Sequence, residues 1–85
     1  MTLMYEIVYS QQAAKDIKKL PKELQERIIS SLERIRIRPY PHVKKLVGCP
    51  YFRLRVGDYR VIMDIIEGKI LIFVIEVDHR SRIYQ

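Results

Sequence analysis

Cysteine is almost missing from this chain: Cys49 is the only one in 85 residues. No disulfide can therefore form within the chain, and a domain this small must be held by its apolar core. A lone thiol suits a reducing compartment and reads as a small, partly buried apolar residue. Histidine is nearly as scarce. His42 and His79 are the only two, and they do not sit at metal-ligand spacing. Glycine is limited to three positions, none in a phosphate-cradling loop, and there is no Gly-x-Ser-x-Gly elbow. No apolar run reaches the ~18 residues of a membrane span. The opening "MTLMYEIVYS" lacks the basic start of a secretory signal. No metal or cofactor is expected. A soluble, cytoplasmic protein of one domain, residues 1–85, is expected.

Acids are missing from one region. The chain carries 16 Lys and Arg against 10 Asp and Glu, a formal charge of +6. From Arg34 to Met63 stand eight Lys or Arg residues and a single acid, Asp58. A mixed, solvated surface would interleave the signs, so the asymmetry predicts one positive face and an acidic partner such as a nucleic acid.

What is present is a clear periodic pattern. Residues 4–9, "MYEIVY", alternate as a strand with Tyr5, Ile7 and Tyr9 on one side. Ser10 offers an N-cap to a helix carrying Ala13, Ile17 and Leu20 on one face. Pro21 separates it from a second helix in which Leu24, Ile28, Leu32 and Ile35 recur at spacings of four, four and three. The stretch "RPYPHVKKLVGCP" predicts a loop, with a turn of helix around Val43–Leu46. Three strand-like segments follow: 51–56, 59–66 and 69–77. The first two are joined at Gly57-Asp58, where a leading glycine suits a type II′ turn. The last is apolar on both faces until Glu76, as for a central strand covered on both sides. A second turn is expected at Glu67-Gly68. The order β-α-α-β-β-β predicts an α+β fold: an antiparallel or mixed sheet with a two-helix hairpin on one face.

A two-residue loop at Gly57-Asp58 pairs Val56 with Tyr59 and sets Arg55 opposite Arg60. Phe52, Leu54, Val56, Tyr59, Val61 and Met63 then face the helices. Tyr51, Arg53, Arg55, Arg60 and Asp64 face the other way, with the basic side turned outward. Like charges opposed across two strands destabilise a sheet, so the arginine cluster predicts an anion that relieves it. Guanidinium forks clamp phosphate through paired charge-assisted hydrogen bonds. RNA supplies its own nucleophile, the 2′-hydroxyl, so such an array could promote cleavage without a metal. Arginine and tyrosine are poor proton carriers at neutral pH. Such a site needs outside help to hold its substrate in reactive geometry.

The segment "KKLVGCPYFRLRVGDYRVIMDI", followed by "KILIFVIEVDHRSRIY", resembles the RelE toxins of the RelE/ParE toxin–antitoxin superfamily. The resemblance implies a type II toxin that cuts mRNA on the ribosome and is held inactive by a RelB-type antitoxin. It implies contact with operator DNA only as the toxin–antitoxin complex, and none with membranes. By position it assigns Arg53, Arg60, Arg80 and Tyr84 to catalysis. Arg53 and Arg60 would neutralise the scissile phosphate. Arg80 would assist the leaving 5′-oxygen, and Tyr84 would orient the base or the 2′-hydroxyl. Arg55, Lys44, Lys45, His79 and Arg82 are candidates for binding RNA or the ribosome. Tyr51 and Asp78 depart from the pattern, standing where some RelE toxins have lysine and glycine. Two alternatives remain: a ParE-like toxin of DNA gyrase, which would not need Arg60, Arg80 and Tyr84, and a non-catalytic RNA-binding module.

Overall fold

The computed structural model describes residues 4–79. Its elements are β1 (Glu6–Tyr9), α1 (Gln11–Lys18), α2 (Lys22–Ile35), a 3₁₀ turn (Tyr40–His42), β2 (Lys44–Lys45), β3 (Phe52–Val56), β4 (Tyr59–Ile66), a second 3₁₀ turn (Glu67–Lys69) and β5 (Leu71–His79). The strands form one mixed sheet in the order β1-β5-β4-β3-β2, with β1 parallel to β5 and the rest antiparallel. The expected α+β fold is present, and no helix among the described residues is long and apolar enough to cross a membrane.

Both helices put their predicted faces into a single core. Ala13 and Ile17 of α1 and Ile28, Leu32 and Ile35 of α2 are buried against Leu54, Val61, Met63, Ile72 and Val74 of the sheet. Ser10 caps α1, its hydroxyl accepting from the Ala13 amide at 2.9 Å. Pro21 stands at the N-cap of α2, where its carbonyl accepts from the amides of Leu24 and Gln25. The far end of α2 is tied to β1. The Tyr5 amide donates to the Arg36 carbonyl (2.8 Å), and Arg36 Nε donates to the Tyr5 carbonyl (2.7 Å).

Three expectations are corrected. The helical turn in the Pro-rich stretch lies at Tyr40–His42, and Lys44–Lys45 is a short strand paired with β3. Pro39 and Pro41 carry the fixed φ that a tight turn accepts, whereas β-branched Val43 is extended. The second turn is present at Glu67-Gly68 but runs on through Lys69, with Ile70 at φ +50° after it, so the last strand starts at Leu71 and not at 69. Finally, β5 is well covered on one face only. Ile72, Val74 and Val77 are buried, but Phe73 and Ile75 are half-buried because both helices lie on the other side.

The spacing of Val74 and Val77 reveals a β-bulge. Met63 pairs with Val74 and Ile62 with Glu76, so Ile75 has no opposite number. An extra residue re-phases a strand. Here it turns Val77 into the core and leaves Glu76 exposed. Helix α1 holds the bulge from both sides. Ser10 Oγ donates to the Ile75 carbonyl, and the Val77 amide donates to Asp16 Oδ2 at 3.0 Å. Asp16 is itself steadied by Gln12, whose Nε2 donates to Oδ1 at 2.8 Å.

Candidate functional site

The β3–β4 turn builds the site. Gly57 has φ +59°, while Asp58 is not in the positive-φ region, the pattern a type II′ turn requires at its first loop residue. The resulting register pairs Val56 with Tyr59 and Arg55 with Arg60, as the sequence predicts. Directly opposed side chains of this kind have Cβ atoms about 4.5–5.5 Å apart. Arg53, two residues before Arg55, shares its face. The short strand β2 then sets Lys44 opposite Arg53, and the preceding 3₁₀ turn delivers His42.

These five side chains, His42, Lys44, Arg53, Arg55 and Arg60, line a hollow of about 140 Å³. No acid lines it. Guanidinium and ammonium groups converging on one small volume form a receptor for a compact anion, and a phosphate group is the fitting chemistry. His42 adds an imidazole N–H donor to the same volume.

Arg60 is the buried member, only 3% exposed, whereas Arg55 is exposed. The expectation that the whole basic side looks outward is therefore corrected. Arg60 lies on an interior strand, with Arg55 beside it on β3 and Asp78 beside it on β5. The bulge is what brings Asp78 to that place. Without the extra residue, Val77 would stand where Asp78 stands.

Four of the predicted residues are thus gathered in one place: Lys44, Arg53, Arg55 and Arg60. Lys45 is not among them, since its register partner is Phe52 and it points to the helix side. His79 also lies apart. Its ring meets Tyr59 edge to face at 5.3 Å, beside a separate hollow of about 200 Å³ lined by Asp16, Lys19, Leu20 and Asp78 among others. Arg80, Arg82 and Tyr84 fall outside the described residues. His42 is the member that sequence reasoning missed. Its distance of two residues from Lys44 was the available signal, since period-two spacing puts both on one side.

Residues 7–84 match the family model of the ParE toxin of type II toxin–antitoxin systems, parDE. The chain is 29% identical over 83 residues to the mRNA interferase toxin RelE of Escherichia coli strain K12, covering 94% of this chain and 87% of that one. Among solved structures it is similar to the archaeal RelE–RelB complex of Pyrococcus horikoshii. There the identity is 29%, the coverage 96% of this chain and 99% of that one, and the TM-score 0.80. The fold also matches the toxin–antitoxin complex RelBE2 of Mycobacterium tuberculosis, with TM-score 0.84 at 23% identity, covering 92% and 100% of the two chains.

Proposed function

Because the chain belongs to the ParE toxin family of the RelE/ParE superfamily, we propose that it is a ribosome-dependent endoribonuclease that cleaves mRNA. The observation that carries this reading is the acid-free hollow of Lys44, Arg53, Arg55, Arg60 and His42. In the proposed reaction the 2′-oxygen of the target nucleotide loses its proton and attacks the adjacent phosphorus. A 2′,3′-cyclic phosphate forms, the bond to the 5′-oxygen breaks, and that oxygen takes up a proton. Arg53 and Arg60 hold the non-bridging oxygens and neutralise the charge that builds on them. One well-placed donor of this kind contributes about 3 kcal/mol to the transition state. Arg80 assists the leaving oxygen, and Tyr84 orients the base or the 2′-hydroxyl.

The hollow is poor in groups that move protons at neutral pH, which is why the ribosome enters the reading: it holds the mRNA in line and supplies what the toxin lacks. A RelB-type antitoxin would neutralise the toxin, and the pair would act on operator DNA only as a complex. The site of action is the cytoplasm, where ribosomes work.

Mapping of 5′ ends on translated and untranslated transcripts tests the proposal. Cuts are expected on translated mRNA only, and Arg60→Ala and Arg80→Ala should each abolish them. Growth arrest with intact mRNA and damaged gyrase would replace this reading by a ParE-like one. Salt-sensitive RNA binding without any cut would replace it by a binding module.

A further inference from the structure

The basic hollow does not end at Arg55. A second hollow of about 250 Å³ adjoins it, lined by Ser31, Arg34, Ile35, His42, Leu54 and Arg55. His42 and Arg55 belong to both, so the two are continuous across these side chains. One wall of the second hollow is α2. Ser31 and Arg34, with Arg27 one turn earlier, recur at spacings of four and three and share a helix face. The other wall is β3 beyond the reach of β2, which pairs only with Phe52 and Arg53. Arg34 and Arg55 are exposed and make no ion pair among the described residues. No acid lines this hollow either.

We propose that the second hollow is a binding site for a neighbouring phosphate of the same RNA strand, held by Arg34, Arg55 and the Ser31 hydroxyl. The inference rests on reading the first hollow as the site of the scissile phosphate. Single-stranded RNA presents a phosphate at every nucleotide, so a strand crossing the first hollow must leave it past a second charge. The donors match that task. Two guanidiniums and a hydroxyl serve phosphate oxygens, and the apolar members Ile35 and Leu54 are buried in the core, which leaves little for a protein side chain to pack against. His42 stands at the divide, where it can serve either phosphate. The track therefore turns from the sheet face toward α2, and it fixes the direction in which the message leaves the site.

The test uses the full chain and a short single-stranded RNA carrying a 2′-deoxy residue at the cut position, titrated by fluorescence anisotropy over a range of salt. Each neutralised phosphate of a single strand contributes about 0.7 to the slope of log affinity against log salt. Arg34→Ala should lower the slope by about that amount. Arg38→Ala removes the same charge from outside both hollows and should change it far less. An RNA with one neutral methylphosphonate linkage flanking the cut should show the same reduction, and Arg34→Ala should add nothing further to it. A thermal melt of each variant confirms that it is folded.

An unchanged slope in Arg34→Ala overturns the inference. So does an equal drop in Arg38→Ala, which would reduce the effect to net charge. Loss of antitoxin binding in Arg34→Ala with the RNA slope intact overturns it too, in favour of a protein partner. Should Arg60→Ala leave RNA binding untouched, the reading of the first hollow is what fails.

Discussion

Removing the carboxylate of Asp16 should loosen the strand that sets the register of the site. In Asp16→Ala the Val77 amide loses an acceptor at 3.0 Å, in a residue only 4% exposed. A hydrogen bond to a charged group contributes about 1.5–3 kcal/mol, and a buried amide left without a partner costs a similar amount. The expected destabilisation is therefore about 2 kcal/mol, or on the order of 10 °C in Tm for a domain of this size. Asp16→Asn keeps an oxygen facing the amide and should lose roughly half as much, since a neutral acceptor makes a weaker bond. Urea unfolding gives the free energies, and amide hydrogen exchange at Val77 reports the bulge directly. Protection there should fall more than at Val61, its partner on β4. If Asp16→Ala stays within about 0.5 kcal/mol of the parent, the level of an ordinary surface change, α1 does not hold the bulge. If Asn is as damaging as Ala, the bond to the amide is not the reason.

Arg55→Gln should stabilise the fold by about 0.2–1 kcal/mol at low salt, because it relieves the like-charge pair with Arg60. The gain should fade near 1 M salt, where the Debye length is about 3 Å, and a salt-independent gain would mean another cause. Gly57→Ala places a side chain at φ +59° with its Cβ 3.3 Å from Arg27 NH1, and should cost about 1–2 kcal/mol in urea unfolding; a neutral result would contradict the turn geometry. The Tyr9 phenol is held above its ordinary value of 10.0, chiefly by burial and then by Glu33, with Arg36 opposing. The folded state therefore keeps this proton where the unfolded chain has lost it. The resulting stability is whole below about pH 10 and declines as pH rises toward the folded value. Tyr9→Phe should flatten that alkaline decline in a pH series of urea midpoints, and an unchanged decline would assign it to other groups.

The apolar period of α2 and the Gly57-Asp58 turn were both readable from the chain because each rests on neighbours in sequence. Leu24 to Ile35 repeat at helical spacing whatever the sheet does, and glycine leads the turn because its φ is positive there. Together they were enough to place Arg55 opposite Arg60 and Arg53 on the same side. The polar stripe of Arg27, Ser31 and Arg34 was hidden for the opposite reason. Glu23 and Glu26 precede these residues and Glu33 stands among them, so the charge of the segment averages out until the helix separates its faces.

The sequence by itself determined the class of fold, the hairpin register and the chemistry of the anion site. These follow from local spacing and from the preference of guanidinium for phosphate. Only the tertiary structure decided which cations meet and which do not. Burial of Arg60 depends on its place inside the sheet, and the separation of Lys45 and His79 from the hollow depends on strand register. The position of Asp78 beside Arg60 depends on one extra residue at Ile75. That residue is stabilised from a helix some sixty residues away in sequence, and no periodicity within β5 could have specified it.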